Sequence, residues 1–109
     1  MPLNESDLSL IFHALADPSR RKMLELLREA GRLKVGDLAL AFEMSLNGVS
    51  KHLKVLEKAG VIQRQVEGRL HWVQVNWSAL DGAADWLHSQ KVFWQKRLSA
   101  LEKHLEEKG

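Results

Sequence analysis

Apolar residues recur through the first part of the chain with the spacing of amphipathic helices. Within residues 5–15 they stand at i, i+3, i+4 and i+7, which predicts a first helix. Asp17 followed by Pro18 supplies an N-cap and a first helical residue, so a second helix is expected to begin there and to end near residue 31. Residues 36–43 predict a short third helix.

The middle of the chain changes from a helical pattern to a strand pattern at one glycine. Ser45 is a good N-cap for a helix over about residues 46–59, and Gly60 stands where a glycine commonly ends a helix. Residues 61–66 and 70–75 are rich in β-branched side chains and flank a Gly-containing link. These two segments therefore predict a β-hairpin.

A long final helix completes the predicted order of elements. Residues 78–107 carry leucine and tryptophan along one side at helical spacing. A short helix, a tight turn, a second helix and a hairpin form a winged helix-turn-helix, here over residues 36–75. We therefore expect a mainly α fold with a two-stranded β wing, in a single domain of residues 1–109.

The helix predicted over residues 46–59 has two different sides. At about 100° per residue, its apolar side chains fall within about 60° of one another and its polar side chains cluster about 180° away. The apolar group is Val49, Leu53 and Leu56, and the polar group is Asn47, Lys51, Lys54 and Lys58. A helix fits the major groove of B-DNA, so we interpret the apolar side as the anchor and the polar side as a DNA-reading surface. A solvated surface face is the alternative.

The candidate DNA contacts follow from this placement. Asn47 can pair with adenine and Lys51 can reach guanine, whereas the two lysines further along would meet phosphates. Gly48 indicates either close approach to DNA or a poorly optimised first turn. His52 is a phosphate contact or a packing residue, and Arg69, at the wing tip, a minor-groove or phosphate contact or an exposed turn residue. The full predicted set is Ser45, Asn47, Gly48, Ser50, Lys51, His52, Lys54, Lys58 and Arg69.

Composition narrows the possible functions. The formal net charge is +2, and the basic excess lies in residues 32–75, which hold seven basic and four acidic residues. The chain has no cysteine, so disulfides and thiolate metal sites are excluded. The first residues predict neither a signal peptide nor a membrane span, so we expect a cytoplasmic protein without a membrane partner. No nucleophile–base spacing or phosphate loop indicates an enzyme, and no cofactor is expected.

Two segments resemble the ArsR-type family of bacterial transcription regulators. They are residues 17–27 (DPSRRKMLELL) and residues 50–60 (SKHLKVLEKAG). The resemblance implies a homodimeric repressor of double-stranded operator DNA, released by an effector that the sequence does not identify. It also implies dimer contacts from the first and last helices, which fits their apolar faces. The predicted contacts are Leu8, Ile11, Phe12, Leu87, Trp94, Leu98, Leu101 and Leu105.

Metal-sensing members of that family carry ligands that are mostly missing here. Residues 35–42 (VGDLALAF) lack a Cys-x-Cys element. His104 and Glu107 match half of a known last-helix site, but His88 and His104 are sixteen residues apart, a helical span of about 24 Å. One ion cannot join them within a subunit. The Phe-Trp pair at residues 93–94 resembles the metal-independent branch, so no metal is expected, with an inter-subunit His/carboxylate site as the alternative.

One further alternative is a winged helix that binds another protein instead of DNA. The discriminating feature is the lysine-bearing side of the central helix, where a protein-binding domain would more often carry an apolar patch. A two-fold dimer on DNA would instead need inverted half-sites separated by about 10 base pairs or a multiple.

Overall fold

Helices and short strands follow one another along residues 4–108, the part of the chain that the computed structural model describes. In chain order they are α1 (Glu5–Leu15), α2 (Pro18–Ala30), β1 (Arg32–Lys34), α3 (Val35–Phe42), α4 (Leu46–Lys58), β2 (Ile62–Glu67), β3 (Leu70–Val75) and α5 (Trp77–Lys108). Every predicted helix and both predicted strands are present, with ends shifted by about one residue. The mainly α fold with its β wing is confirmed.

The junction between α1 and α2 is held by the first turn of α2. The Asp17 carboxylate accepts a hydrogen bond from the backbone N–H of Arg20 (3.0 Å), and Pro18 occupies the first helical position. The Arg20 guanidinium donates to the carbonyl oxygens of Ala14 (2.7 Å) and His13 (2.9 Å). These carbonyls lie in the last turn of α1, where backbone acceptors lack partners inside the helix. The Asp-Pro-Ser-Arg-Arg segment therefore has a structural role, because it fixes α1 against α2.

A third strand, β1, was not predicted. It pairs antiparallel with β3, so that the sheet has the order β1-β3-β2. The Arg32 guanidinium stacks over the Trp72 ring at 3.9 Å and also pairs with Glu67 at 3.2 Å. A strand of three residues is too short to show a period of two, and its stability comes from the pairing with β3. The sequence pattern therefore contained no signal for it.

The wing is the hairpin of β2 and β3. Glu67 pairs with Leu70, which leaves Gly68 and Arg69 as a two-residue link. Gly68 has a φ of 62°, in the left-handed region, as expected for glycine at the first central position of a type II′ turn. This turn type matches the twist of the two strands and puts Arg69 at the tip.

The core lies between α4, the first three helices and the inner face of the sheet. Val49, Leu53 and Leu56 of α4 are completely buried, and each element packed against α4 contributes buried residues. The core residues are Ile11, Ala14, Met23, Leu27, Leu38, Ala39, Val49, Leu53, Leu56, Val61, Ile62, Val73, Val75 and Ala83. α4 is thus anchored from several directions, which fixes the direction of its opposite side.

α5 differs from the other helices because most of it stands clear of the subunit. It is 32 residues long, about 48 Å, in a molecule whose longest dimension is 69 Å. Its contact with α1 includes an edge-to-face pair of Phe12 and Trp86, with ring centroids 5.7 Å apart. Only Ala83 of this helix is buried in the core. No helix among residues 4–108, α5 included, is long and apolar enough to cross a membrane.

The predicted dimer contacts lie in different environments. The α5 members are all exposed: Leu87, Trp94, Leu98, Leu101 and Leu105. Leu8 and Phe12 are half-buried at the edge of α1. The expectation for Ile11 needs correction, because Ile11 is only 1% exposed and belongs to the core of its own subunit. The regular spacing of apolar residues on α1 did not reveal which of them would face inward.

Candidate nucleic-acid interface

The turn between α3 and α4 sets the start of the candidate recognition helix. Glu43 adopts a left-handed conformation (φ 53°) that ends α3. Ser45 is the N-cap of α4, and its hydroxyl accepts a hydrogen bond from the backbone N–H of Gly48 at 3.1 Å. Met44, before the cap, and Val49, in the helix, both pack against the core, as in a hydrophobic staple. Cap and staple together fix where α4 begins and how it leaves the turn.

The two sides of α4 have the environments that the sequence pattern predicts. Val49, Leu53 and Leu56 are completely buried. The polar stripe on the opposite side is exposed along its whole length and consists of Asn47, Lys51, Lys54 and Lys58. None of its lysines forms an ion pair with another residue in the range 4–108. Three amines are therefore presented together without a neutralising carboxylate, which suits contact with a polyanion.

Gly48 is not required by the packing of the subunit. A Cβ atom placed there would lie 3.4 Å from the Ser45 hydroxyl and 3.9 Å from the Met44 Cβ, which are ordinary contact distances. Gly48 also has helical backbone angles, so no positive φ demands glycine. The intramolecular structure thus leaves room for a side chain at this position. Ser50, beside it on α4, is half-buried.

His52 faces the α1–α2 junction. Its Nδ1 lies 3.5 Å from the Arg20 guanidinium and 3.9 Å from the Asp17 carboxylate. The Arg20 backbone N–H that donates to Asp17 holds the pKa of that carboxyl below its usual range, and the charges of Arg20 and His52 act in the same direction. The half-buried imidazole thus links α4 to the first turn of α2. This geometry favours the packing alternative, and a phosphate contact stays a prediction.

The wing presents one of its arginines and retains the other. Arg69 is exposed at the hairpin tip. It also borders a shallow cleft that is lined by Lys34, Asp37 and His71 as well. Arg64, on β2, instead forms an ion pair with Glu57 of α4. The wing-tip residue is thus available for a phosphate or groove contact.

Leu46, the first residue of α4, was absent from the predicted contacts. It is 59% exposed and stands between the exposed residues Ser45 and Asn47. On a helical projection Leu46 falls about 20° from Leu53, on the apolar side. Sequence pattern alone therefore assigns it to the interior, and only its exposure in the folded subunit reveals it.

The histidines of α5 do not form a metal site within one subunit. Within residues 4–108 no three His, Asp or Glu side chains lie close enough together to hold an ion. His88 and His104 are both exposed on the helix. An ion at either position would need ligands from a second subunit, and metal independence stays a prediction.

The comparisons with known proteins agree with this geometry. Residues 17–64 match the family described as bacterial regulatory protein, arsR family. Over 77 residues the chain is 35% identical to the transcriptional repressor SdpR of Bacillus subtilis (strain 168), an alignment that covers 71% of this chain and 84% of SdpR. The chain belongs to the ArsR family. This is a family of transcriptional regulators and not of enzymes. The resemblance to the ArsR-type family and the expectation that the chain is not an enzyme are therefore confirmed.

Solved structures of ArsR-type proteins have the same fold. The crystal structure of the ArsR family transcriptional regulator RHA00566 is 34% identical, with a TM-score of 0.77, over 87% of this chain and 97% of that one. The solution structure of Mb0332 from Mycobacterium bovis is 25% identical, with a TM-score of 0.63, over 85% of this chain and 82% of that one. Mb0332 is described as a homodimeric winged helix-turn-helix DNA-binding domain and a possible ArsR-family regulator. The winged helix-turn-helix fold of this ArsR-family chain is thereby confirmed.

Proposed function

We propose that this ArsR-family regulator is a homodimeric repressor that binds an inverted-repeat operator. In this proposal the two α4 helices of the dimer enter successive major grooves. The observation that carries it is the exposed, unpaired lysine stripe of α4, directly opposite the completely buried Val49, Leu53 and Leu56. The core holds the helix rigidly, and a rigid helix with one polar side outward has the shape that the major groove admits.

Dimerisation is supported by the apolar surface of α5. Beyond its first turns, this helix of 32 residues leaves apolar side chains in water unless a second subunit covers them; they are Leu87, Trp94, Leu98, Leu101 and Leu105. Phe12 and Leu8 of α1 border the same surface and line a groove with Trp86. Burial of this surface between two subunits would be favourable at about 25 cal/mol per Å² of apolar area. The homodimeric description of Mb0332 supports the same arrangement.

Within each half-site the residues of α4 have different roles. Asn47 and Lys51, nearest the N-terminal end, contact adenine and guanine edges. Lys54 and Lys58 meet phosphates, and Arg69 contacts the minor groove or the backbone beside it. Because the dimer has a two-fold axis, the half-sites are inverted and lie about 10 base pairs apart or a multiple of that distance.

Binding-site selection from genomic or random DNA, followed by two lysine substitutions, tests this proposal. Lys51→Ala is expected to relax base preference at one position in each half-site, at a cost of about 1–3 kcal/mol. Lys58→Ala is expected to weaken binding to all sequences alike and to reduce the salt slope by about two, one for each subunit of the dimer. Lys103→Ala, exposed on the second half of α5, is the matched control and should leave both properties unchanged.

The salt dependence also separates DNA binding from the protein-interaction alternative. If the protein contacts phosphates, the logarithm of its binding constant for DNA falls steeply and linearly with the logarithm of the salt concentration. Retention on DNA that is insensitive to salt, or full operator affinity in the Lys51→Ala and Lys58→Ala variants, would contradict the docking of α4.

A further inference from the structure

The N-terminal end of α4 lies at the surface of the domain. Ser45, Leu46 and Asn47 are all exposed, although they occupy different directions around the helix axis. Their exposure therefore does not come from one solvent-facing side, as it does for the lysines that follow. It shows that protein stops surrounding the helix at its N-terminal end.

The contrast between two leucines shows where that boundary lies. Leu46 and Leu53 are seven residues apart and point about 20° from one another. Leu53 is completely buried, whereas Leu46 is 59% exposed. A direction that leads into the core at Leu53 thus leads out of the domain two turns earlier, where an apolar side chain is left in water.

We infer that Leu46 contacts the C5-methyl group of a thymine in each operator half-site. The inference rests on the proposed docking of α4, which brings the N-terminal end of the helix to the base edges. Among the groups exposed in the major groove, the thymine methyl is the apolar one. A leucine beside it removes apolar surface of both partners from water, whereas a cytosine amino group there would lose its hydrogen bonds to water.

The neighbours of Leu46 favour DNA over a protein partner. The chain neighbours of Leu46 at the start of α4 are the polar Ser45 and Asn47, so Leu46 is not part of a run of apolar residues on this helix. The amine of Lys51 lies one turn along the same helix and attracts phosphates. A single apolar side chain at the tip of a cationic helix matches a single methyl group in a polyanionic groove.

Deoxyuridine provides a direct test, because it differs from thymidine only by the missing methyl group. The probe is a duplex containing the operator selected with the unmodified protein, with each thymine replaced singly by deoxyuridine. At one thymine in each half-site, the substitution is expected to weaken binding about fourfold, the affinity equivalent of one buried methyl group. Leu46→Ala removes the contact in both half-sites of the homodimer, so it should weaken binding to the thymine operator by about the square of that factor, about sixteenfold, and abolish the difference between the two duplexes.

Leu40→Ala is the matched control. Leu40 lies on α3 and is 79% exposed, so its removal is the same chemical change outside the first turn of α4. This variant should discriminate thymine from deoxyuridine as well as the unmodified protein does. Thermal unfolding of both variants is expected to match the unmodified protein, because neither side chain is part of the core.

The outcomes separate this inference from the proposed function. Sequence-selective binding that no single deoxyuridine weakens would overturn the role of Leu46 and leave the docking of α4 intact. A Leu46→Ala variant that still discriminates the two duplexes, or that dissociates into monomers in sedimentation, would also overturn it. Absence of any sequence-selective binding would contradict both.

Discussion

α4 and α5 are both helices with an apolar and a charged side, but the subunit treats them in opposite ways. Val49, Leu53 and Leu56 of α4 are completely buried, and the lysines on the opposite side therefore point outward. α5 has only Ala83 in the core, and Leu80 packs against that core, whereas its later apolar residues are exposed: Leu87, Trp94, Leu98, Leu101 and Leu105. The apolar side of α4 is therefore covered within one subunit, and the helix presents a polar surface. The apolar side of α5 is left largely uncovered within one subunit, as is typical of a helix at a subunit interface.

The difference has consequences for how each helix responds to change. Loss of a buried side chain from α4 leaves a cavity in the core, whereas loss of an apolar side chain from α5 leaves the core unchanged and weakens association. The two helices also contact the rest of the subunit differently. α4 makes a polar contact through His52, which lies beside Asp17 and Arg20, whereas the contact of α5 with α1 includes an aromatic pair.

The largest effect is expected for Leu53→Ala, which tests whether α4 is anchored by the core. The variant should unfold with a free energy lower by about 2–5 kcal/mol, because it loses buried apolar area and leaves a cavity. Urea denaturation followed by circular dichroism measures the change. Leu40→Ala, the same substitution at an exposed position, should shift it by less than about 0.5 kcal/mol. Equal shifts in the two variants would break the distinction between buried and presented residues.

Trp94→Ala tests whether the exposed apolar side of α5 forms the interface between two subunits. Trp94 is 60% exposed and packs edge-to-face on Phe93, with ring centroids 5.6 Å apart. Its removal should convert dimers to monomers and, through lost bivalency, weaken operator binding about 100-fold or more. Sedimentation velocity and fluorescence anisotropy measure the two effects. Trp94→Phe keeps most of the apolar area and should keep the dimer, whereas a dimeric Trp94→Ala variant would remove α5 from the interface.

Gly48→Ala distinguishes the contribution of this residue to the stability of α4 from its contribution to DNA binding. The subunit has room for the added Cβ, and alanine favours a helix, so the free energy of unfolding should rise by up to about 1 kcal/mol. If the Gly48 backbone approaches DNA closely, operator affinity should fall about tenfold, in the range of one lost contact. Gly36→Ala, on α3, is the control that should gain stability without losing affinity. A Gly48→Ala variant with undiminished affinity would mean that the first turn is merely poorly optimised.

The smallest effect concerns the polar junction beside α4 and its response to pH. Because the folded-state pKa of Asp17 is lowered, chiefly by the Arg20 backbone N–H, its carboxylate stabilises the fold above its unfolded pKa. That contribution disappears as the pH falls through the lowered folded pKa. Asp17→Asn keeps a capping side chain without the charge, so its deficit relative to the unmodified protein should be largest at neutral pH and vanish in strong acid. Urea unfolding across the acid range measures this.

Asp17→Ala extends the same test, because it removes the cap as well as the charge. It should lower the free energy of unfolding even where the carboxyl is protonated, because the capping hydrogen bond is lost. A deficit of Asp17→Asn that did not change with pH would assign the role of Asp17 to hydrogen bonding alone.

Much of the fold was predictable because its signals are local. Periodic apolar residues, the Ser45 and Asp17 caps and the Gly68 turn each act within a few residues, so they predicted the helices, the wing and the direction of the lysine stripe. β1 was not predicted because a strand of only three residues is stabilised by its pairing with β3, which is distant in sequence.

Residue spacing alone sets which side of each helix is apolar. Tertiary structure decided what covers each apolar side. It buried Ile11 in the subunit, left Leu87, Leu98, Leu101 and Leu105 of α5 exposed, placed His52 beside Arg20, and exposed Leu46 at the end of α4. Periodicity gives a direction around one helix axis, whereas burial depends on where the other elements end.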